Sequence, residues 1–196
     1  FTPGYLAREN LTSSLSVNWD ADDFVITSIT GYNDLEIEDL TDDDYEARAI
    51  HETLSITDQT EFSQELRLTS TGENRFRWMI GGYYYNLDST ITTDGRNVGE
   101  GAALATALAA FGLPFIGNGS LTSVANEKTE NYAAFGQLQF DVTAQLTATF
   151  SGRYSHETKT VNAVDTAAGA PSTTFEDSAT FTEFVPNVSL DFQVTE

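Results

Sequence analysis

Residues 131–154 alternate oily and wet positions almost without a break. The even positions Tyr132, Ala134, Gly136, Leu138 and Phe140 form an oily row, and the odd positions Asn131, Ala133, Phe135, Gln137, Gln139 and Asp141 form a mostly polar one. Successive side chains of a strand point to opposite faces, so this pattern predicts a strand with one apolar and one polar face. A short turn over 141–145 follows. The pattern then repeats, with Leu146, Ala148, Phe150, Gly152 and Tyr154 opposite Thr147, Thr149, Ser151, Arg153 and Ser155. Aromatic residues stand near the ends of both oily rows, where membrane barrels carry their girdles.

The same reading extends along the chain. Residues 1–10 hold Pro3 and Gly4 and read as an irregular lead-in. Leu15, Val17 and Trp19 then alternate with Ser16 and Asn18, 20–23 makes a tight turn, and 24–32 returns as a strand rich in β-branched residues. In 61–69, Phe62, Leu66 and Leu68 oppose Ser63, Glu65, Arg67 and Thr69, with Gln64 a misfit on the oily side. A turn at 70–74, where Gly72 allows positive φ, leads to Phe76, Trp78, Ile80, Gly82 and Tyr84 opposite Arg75, Arg77, Met79, Gly81, Tyr83 and Tyr85. The last strand, near 180–192, carries Phe184, Val188, Leu190 and Phe192 on one parity. Pro186 lies within it and removes a ladder donor, which predicts a bulge or a strand end.

Three stretches between these strands lack the alternation and read as long excursions. Residues 33–52 hold nine acids against one base, Arg48. Residues 92–126 enclose an Ala- and Leu-rich segment, 101–112, where Leu104, Leu108 and Phe111 predict a short helix stopped by Gly112 and Pro114. That stripe is expected to pack on the mouth beneath it, because short helices form by burying an apolar face. Residues 162–177 are rich in Ala, Gly, Ser and Thr.

Alternation alone also fits a soluble sandwich. Two features favour a membrane barrel: the inward rows are polar, and the strands run to roughly 12 to 16 residues against 5 to 6 in soluble sheets. Short and long connections alternate strictly, as in outer-membrane barrels. The fold expected over 1–196 is therefore all-β: an antiparallel up-and-down transmembrane β-barrel segment of seven strands, with long acidic or small-residue extracellular loops and one loop helix. Seven strands would leave two open edges in lipid, so the chain is read as one part of a larger barrel domain. It begins at Phe1, without Met or a signal peptide, which fits an excised piece or a mature segment. No run approaches the roughly 18 apolar residues of a transmembrane helix.

Composition narrows the chemistry. A net charge of -21 with nine Lys and Arg argues against nucleic acid and is compatible with cation-bridged lipopolysaccharide beside the outer-membrane lipid. Absence of cysteine removes disulfides and thiolate metal sites. Neither His51 nor His156 has a second histidine four residues on, so no zincin motif exists. Gly117-Asn118-Gly119-Ser120 lacks the lysine of a phosphate loop and the flanking glycine of a nucleophile elbow. No catalytic residue and no bound cofactor is expected, with one exception to weigh. Asp39, Asp42, Asp43, Asp44 and Glu46 offer hard oxygen ligands suited to Ca²⁺, although Ala47 stands where an EF-hand needs glycine. A solvated acidic loop is the plainer reading of the same run.

Charge on a lipid face costs about 2 to 4 kcal/mol at the midplane, so Glu65, Arg67, Arg77 and Arg153 should face the lumen, paired across strands. Trp78, Ile80, Leu138, Phe140, Leu146 and Phe150 should form one outward, lipid-facing band.

The runs TEFSQELRLTS at 60–70, WMIGGYYY at 78–85, YAAFGQ at 132–137, GRYS at 152–155 and PNVSLDF at 186–192, with TSITGY at 27–32, together resemble the TonB-dependent outer-membrane receptors. The resemblance implies a barrel of about 22 strands around a plug, importing a scarce nutrient such as a ferric siderophore. It also implies energy supplied through TonB, which grips a box ahead of the plug. Neither plug nor box is recognised within these residues, so no binding role carries over from them. Two other readings stay open: an outer-membrane adhesin or small porin with acidic binding loops, and a secreted Ca²⁺- or glycan-binding β-sandwich.

Overall fold

The computed structural model describes residues 3–43, 47–72, 74–112, 121–167 and 172–194. Seven strands and one helix follow in chain order: β1 Tyr5–Asp20, β2 Phe24–Asp42, β3 His51–Ser70, β4 Phe76–Asn97, α1 Gly99–Ala110, β5 Leu121–Asp141, β6 Leu146–Ala167 and β7 Thr173–Phe192. All seven strands lie in one sheet in sequence order, each antiparallel to its neighbours. This up-and-down meander is the architecture that the alternating rows predict.

The register keeps each oily row in line with the next. Phe76 stands opposite Phe140, Trp78 opposite Leu138, and Leu138 opposite Phe150 on its other side. One face of the sheet therefore collects Trp19, Ile26, Leu68, Trp78, Leu138, Phe150 and Val188 at a single level or within one step of it. A higher level on the same face carries Tyr32, Phe62, Tyr84, Tyr132, Tyr154 and Phe184. Their rings touch in part: the Tyr84 and Tyr132 centroids are 5.0 Å apart, and those of Phe62 and Tyr84 are 6.2 Å apart. Eight residues separate Phe76 from Tyr84, about 27 Å along the strand at the usual rise.

No described residue covers this face. Among the described residues no large side chain is fully buried, and the buried apolar residues are only Ala105, Ala133 and Ala148. Ile80, Phe150 and Phe184 are 56%, 53% and 64% exposed. A sandwich needs a second sheet on that face to make its core. The described residues form one sheet, and the secreted-sandwich reading falls with that observation.

Several boundaries differ from the expectation. The strands reach 16 to 22 residues because they run on well beyond the oily rows. Residues 5–10 belong to β1 and are no lead-in. Residues 33–42, 92–97, 121–126, 162–167 and 173–177, taken for excursions, are strand. They hold seven Thr together with Ile37, Val124 and Val164, which suit a pleated backbone, but both their faces are largely polar, so no two-faced pattern marks them. The connection at 168–172 is thus as short as the one at 71–75. At Pro186 the register passes unbroken opposite Gly152, with no bulge.

The turns are closed by local hydrogen bonds. Ala21 N–H donates to Phe24 O at 2.9 Å, and Val142 N–H to Leu146 O at 2.8 Å. Gly72 adopts the predicted positive φ of 87°. Gly112, at φ 69°, ends the helix as expected, two residues after Ala110. The helix buries Gly101 and Ala105, however, while Leu104 and Phe111 are exposed. The expected stripe is therefore not the packed face. Small residues pack because α1 lies close against the backbone of residues 49–50.

Candidate functional site

The polar face carries all four predicted charges, since Glu65, Arg67, Arg77 and Arg153 share its parity in the register. Among the described residues one of them makes a cross-strand ion pair. Arg77 grips Asp141 at 2.7 Å, whereas Glu65 and Arg67 pair along their own strand at 3.5 Å. Arg153 meets no carboxylate among the described residues. Its guanidinium lies over Tyr83, 5.4 Å from the centroid, and beside Phe135 at 5.9 Å, and its Nε donates to Ser155 Oγ at 3.1 Å.

This aromatic seat is built by the register. Gly81 stands opposite Phe135, and Phe135 opposite Arg153. A methyl group on Gly81 would come within 2.4 Å of the Phe135 ring, so the ring occupies the space that glycine leaves. Gly81 thus leaves room for the Phe135 ring over β4, and Arg153 lies over that ring. Above this level, Tyr85 Oη donates to Glu61 Oε2 at 3.3 Å and Asn131 Nδ2 to Glu157 Oε2 at 3.2 Å. The face offers a cation, ring faces and carboxylates, suited to holding a solute or a protein surface. The Phe135 signal was visible in the sequence as an aromatic misfit in a polar row. Its partnership with Gly81 was not, because it depends on register.

At the long-connection end, α1 is clasped to residues 48–50. Val98 N–H donates to Ile50 O at 2.9 Å, Glu100 N–H donates to Ala49 O at 3.1 Å, and Arg48 pairs with Glu100 at 3.3 Å. Just below, Arg96 Nε donates to buried Glu52 at 2.7 Å. His51 Nδ1 lies 3.2 Å from Asn97 Oδ1, and His156 Nδ1 lies 3.1 Å from Thr182 Oγ1.

Of the five residues suggested as Ca²⁺ ligands, Asp39, Asp42 and Asp43 are described. Asp39 and Asp42 belong to β2 at opposite parity, so they point to opposite faces. Asp43 accepts a hydrogen bond from Thr53 Oγ1, and His51 Nε2 lies 3.9 Å from it. Asp44 and Glu46 lie outside the described residues, as do Pro114 and residues 117–120. Among the described residues no three His, Cys, Asp or Glu side chains converge as a metal site.

The predicted apolar band is assembled on one face: Trp78, Ile80, Leu138, Phe140, Leu146 and Phe150 share parity and register. Among the described residues the sheet has one uncovered apolar face and one charged face. The family model of the TonB dependent receptor-like beta-barrel matches residues 1–196. The chain belongs to this family.

Solved structures of similar fold agree. The ferric yersiniabactin uptake receptor FyuA from Yersinia pestis matches 98% of this chain at a TM-score of 0.74 and 15% identity. The siderophore receptor PiuA from Acinetobacter baumannii matches 98% at a TM-score of 0.63 and 14% identity. The chain spans 27% and 32% of the length of those two proteins. The family is one of receptors.

Proposed function

We propose that this chain is part of the wall of a bacterial outer-membrane receptor that imports a ferric siderophore or a similar scarce solute. The observation that carries the proposal is the uncovered apolar face, flanked by the level of Tyr84 and Tyr132 above and by Phe76 and Phe140 below. With strands tilted by about 40°, the 27 Å between those levels becomes a height near 20 Å, comparable to the apolar band of a membrane barrel. In this reading Trp78, Ile80, Leu138, Phe140, Leu146 and Phe150 meet lipid, and Glu65, Arg67, Arg77 and Arg153 face the lumen.

The upper halves of the strands then stand clear of the bilayer, since a spanning strand needs only about 9 to 11 residues. The clasped helix α1 lies at their outer end, in the extracellular loops. Lipopolysaccharide is the lipid at the upper aromatic level. Energy would come through TonB, which engages parts of the receptor beyond these residues. The similarity to FyuA and PiuA, both siderophore receptors, supports the siderophore reading, and the two-faced sheet supports the membrane reading.

The test is a gene deletion in the source bacterium under iron limitation, with ferric siderophores supplied one at a time as the iron source. Loss of growth on one chelate, restored by the intact gene, is the expected outcome. Unchanged growth on every chelate would remove the siderophore assignment. Absence of the protein from the outer-membrane fraction would remove the membrane assignment.

A further inference from the structure

His51 opens β3 on the polar face and stands opposite Asn97, the last residue of β4. Its backbone carbonyl accepts from Asp43 N–H at 3.2 Å, so the imidazole sits between the end of β2 and the start of α1. Nδ1 lies 3.2 Å from Asn97 Oδ1, and Nε2 lies 3.9 Å from Asp43 Oδ2. Both ring nitrogens thus face oxygens that can only accept. A neutral imidazole has one N–H and must turn a lone pair to one of these oxygens, whereas an imidazolium turns an N–H to each.

The surrounding groups leave this task to His51. Asp43 accepts from Thr53 Oγ1 and meets no lysine or arginine among the described residues. Asn97 turns its oxygen to the ring, while its Nδ2 meets no acceptor among the described residues. On β4, a Cβ added at Gly95 would lie 3.6 Å from Nε2, so no side chain stands there. The two arginines at this end are engaged elsewhere: Arg96 turns to the other face and grips Glu52, and Arg48 pairs with Glu100. Asp42 stands opposite Glu52, and Asp39, four residues before Asp43 on the polar face, accepts from Thr41 at 3.5 Å.

His51 also adjoins the clasp on α1. Residues 49 and 50, directly before it, hold the first turn of the helix through Val98 and Glu100. A ring tied to both Asp43 and Asn97 therefore fixes the strand end that precedes the clasp and the strand end that leads into α1.

We propose that His51 is a pH-sensitive latch for α1. When the ring gains its second proton it ties Asp43 to Asn97 and tightens the clasp; when it loses that proton one of the two contacts is lost and the helix opens more often. Imidazole is the side chain whose charge changes in the range of about pH 5 to 8. His51 and Asp43 are each 36% exposed, so the latch acts with the strength of a surface ion pair, a factor of about two to five.

The experiment uses the full natural chain that contains this sequence, in detergent, with backbone amide exchange over 98–110 followed by mass spectrometry at about pH 5.5 and about pH 8. Each rate is divided by that of His51→Gln at the same pH, which cancels the intrinsic pH dependence of exchange. The natural protein should exchange about two- to fivefold more slowly than His51→Gln at the lower pH and at the same rate at the higher. Asp43→Asn keeps the shape and should lose that slowing. Arg48→Gln removes an ion pair that is charged at both pH values, so it should speed exchange by the same factor at each. A ratio to His51→Gln that is equal at the two pH values overturns the latch: constant slowing would mean that Asn97 donates Nδ2 to a neutral ring, and no slowing that the ring ties nothing. A slowing at the lower pH that survives in Asp43→Asn overturns it too, because the pairing with Asp43 is its cause.

Discussion

Arg77 and Asp141 are joined by a two-pronged fork across β4 and β5, with Nη1 donating to Oδ2 at 2.7 Å and Nη2 to Oδ1 at 2.8 Å. The register sets Arg77 opposite Gln139, so the fork is diagonal and reaches the last residue of β5. Thr147 on β6 donates to the same carboxylate at 2.8 Å. One carboxylate thus pins three strands beside a turn. Asp141→Asn keeps the shape but removes the charge. The expected outcome is a lower temperature for the switch from compact to unfolded gel migration in SDS, with natural migration at room temperature.

Ile80 and Met79 are neighbours in sequence but belong to opposite faces. Ile80→Arg places a charge on the apolar face near the middle of the band and should cost about 2 to 4 kcal/mol in urea titrations of the protein folded into vesicles. Met79→Arg, on the polar face, should change the same titration little. Equal costs at the two positions would contradict the assignment of faces.

Gly81 and Phe135 make a joint prediction. Gly81→Ala brings a methyl group against the Phe135 ring and within 3.0 Å of Leu66 O, an overpacking worth about 1 to 3 kcal/mol. Phe135→Leu relieves the clash by removing the ring. The double variant should therefore be more stable than the sum of the single effects, measured by the same urea titration.

Trp19 and Trp78, the only two tryptophans, both belong to the apolar face. In vesicles of brominated phosphatidylcholine their fluorescence should be strongly quenched. A protein with both replaced by Phe and with Phe135→Trp on the polar face should be quenched far less.

Gly101 lies against Ile50, where a Cβ would meet the carbonyl oxygen at 2.2 Å and the carbonyl carbon at 2.9 Å. Backbone cannot yield as a side-chain tip can. Gly101→Leu should release α1 from residues 49–50 and speed limited proteolysis within 98–112. Heat-dependent gel migration should stay as in the natural protein, because the clasp lies outside the sheet.

The sequence by itself determined the strands, their faces and their order. Period-two alternation around Leu138 and Phe150 needs no partner to be read, since a strand's geometry forces it. The turn at Gly72 and the helix stop at Gly112 were legible for the same local reason. Once one face is apolar, register follows, because a slip by one residue would turn every oily row over. Tertiary structure alone decided what lies across a strand or beyond the oily rows. The outer strand halves, such as 87–97, are polar on both faces, so only their ladder partners reveal them as strand. Arg153 found Tyr83 and Phe135, Asp141 found Arg77 two residues off its register partner, and Gly101 found the backbone of Ile50. Each of these contacts joins residues distant in sequence, and a one-dimensional pattern carries no record of which residues the sheet brings side by side.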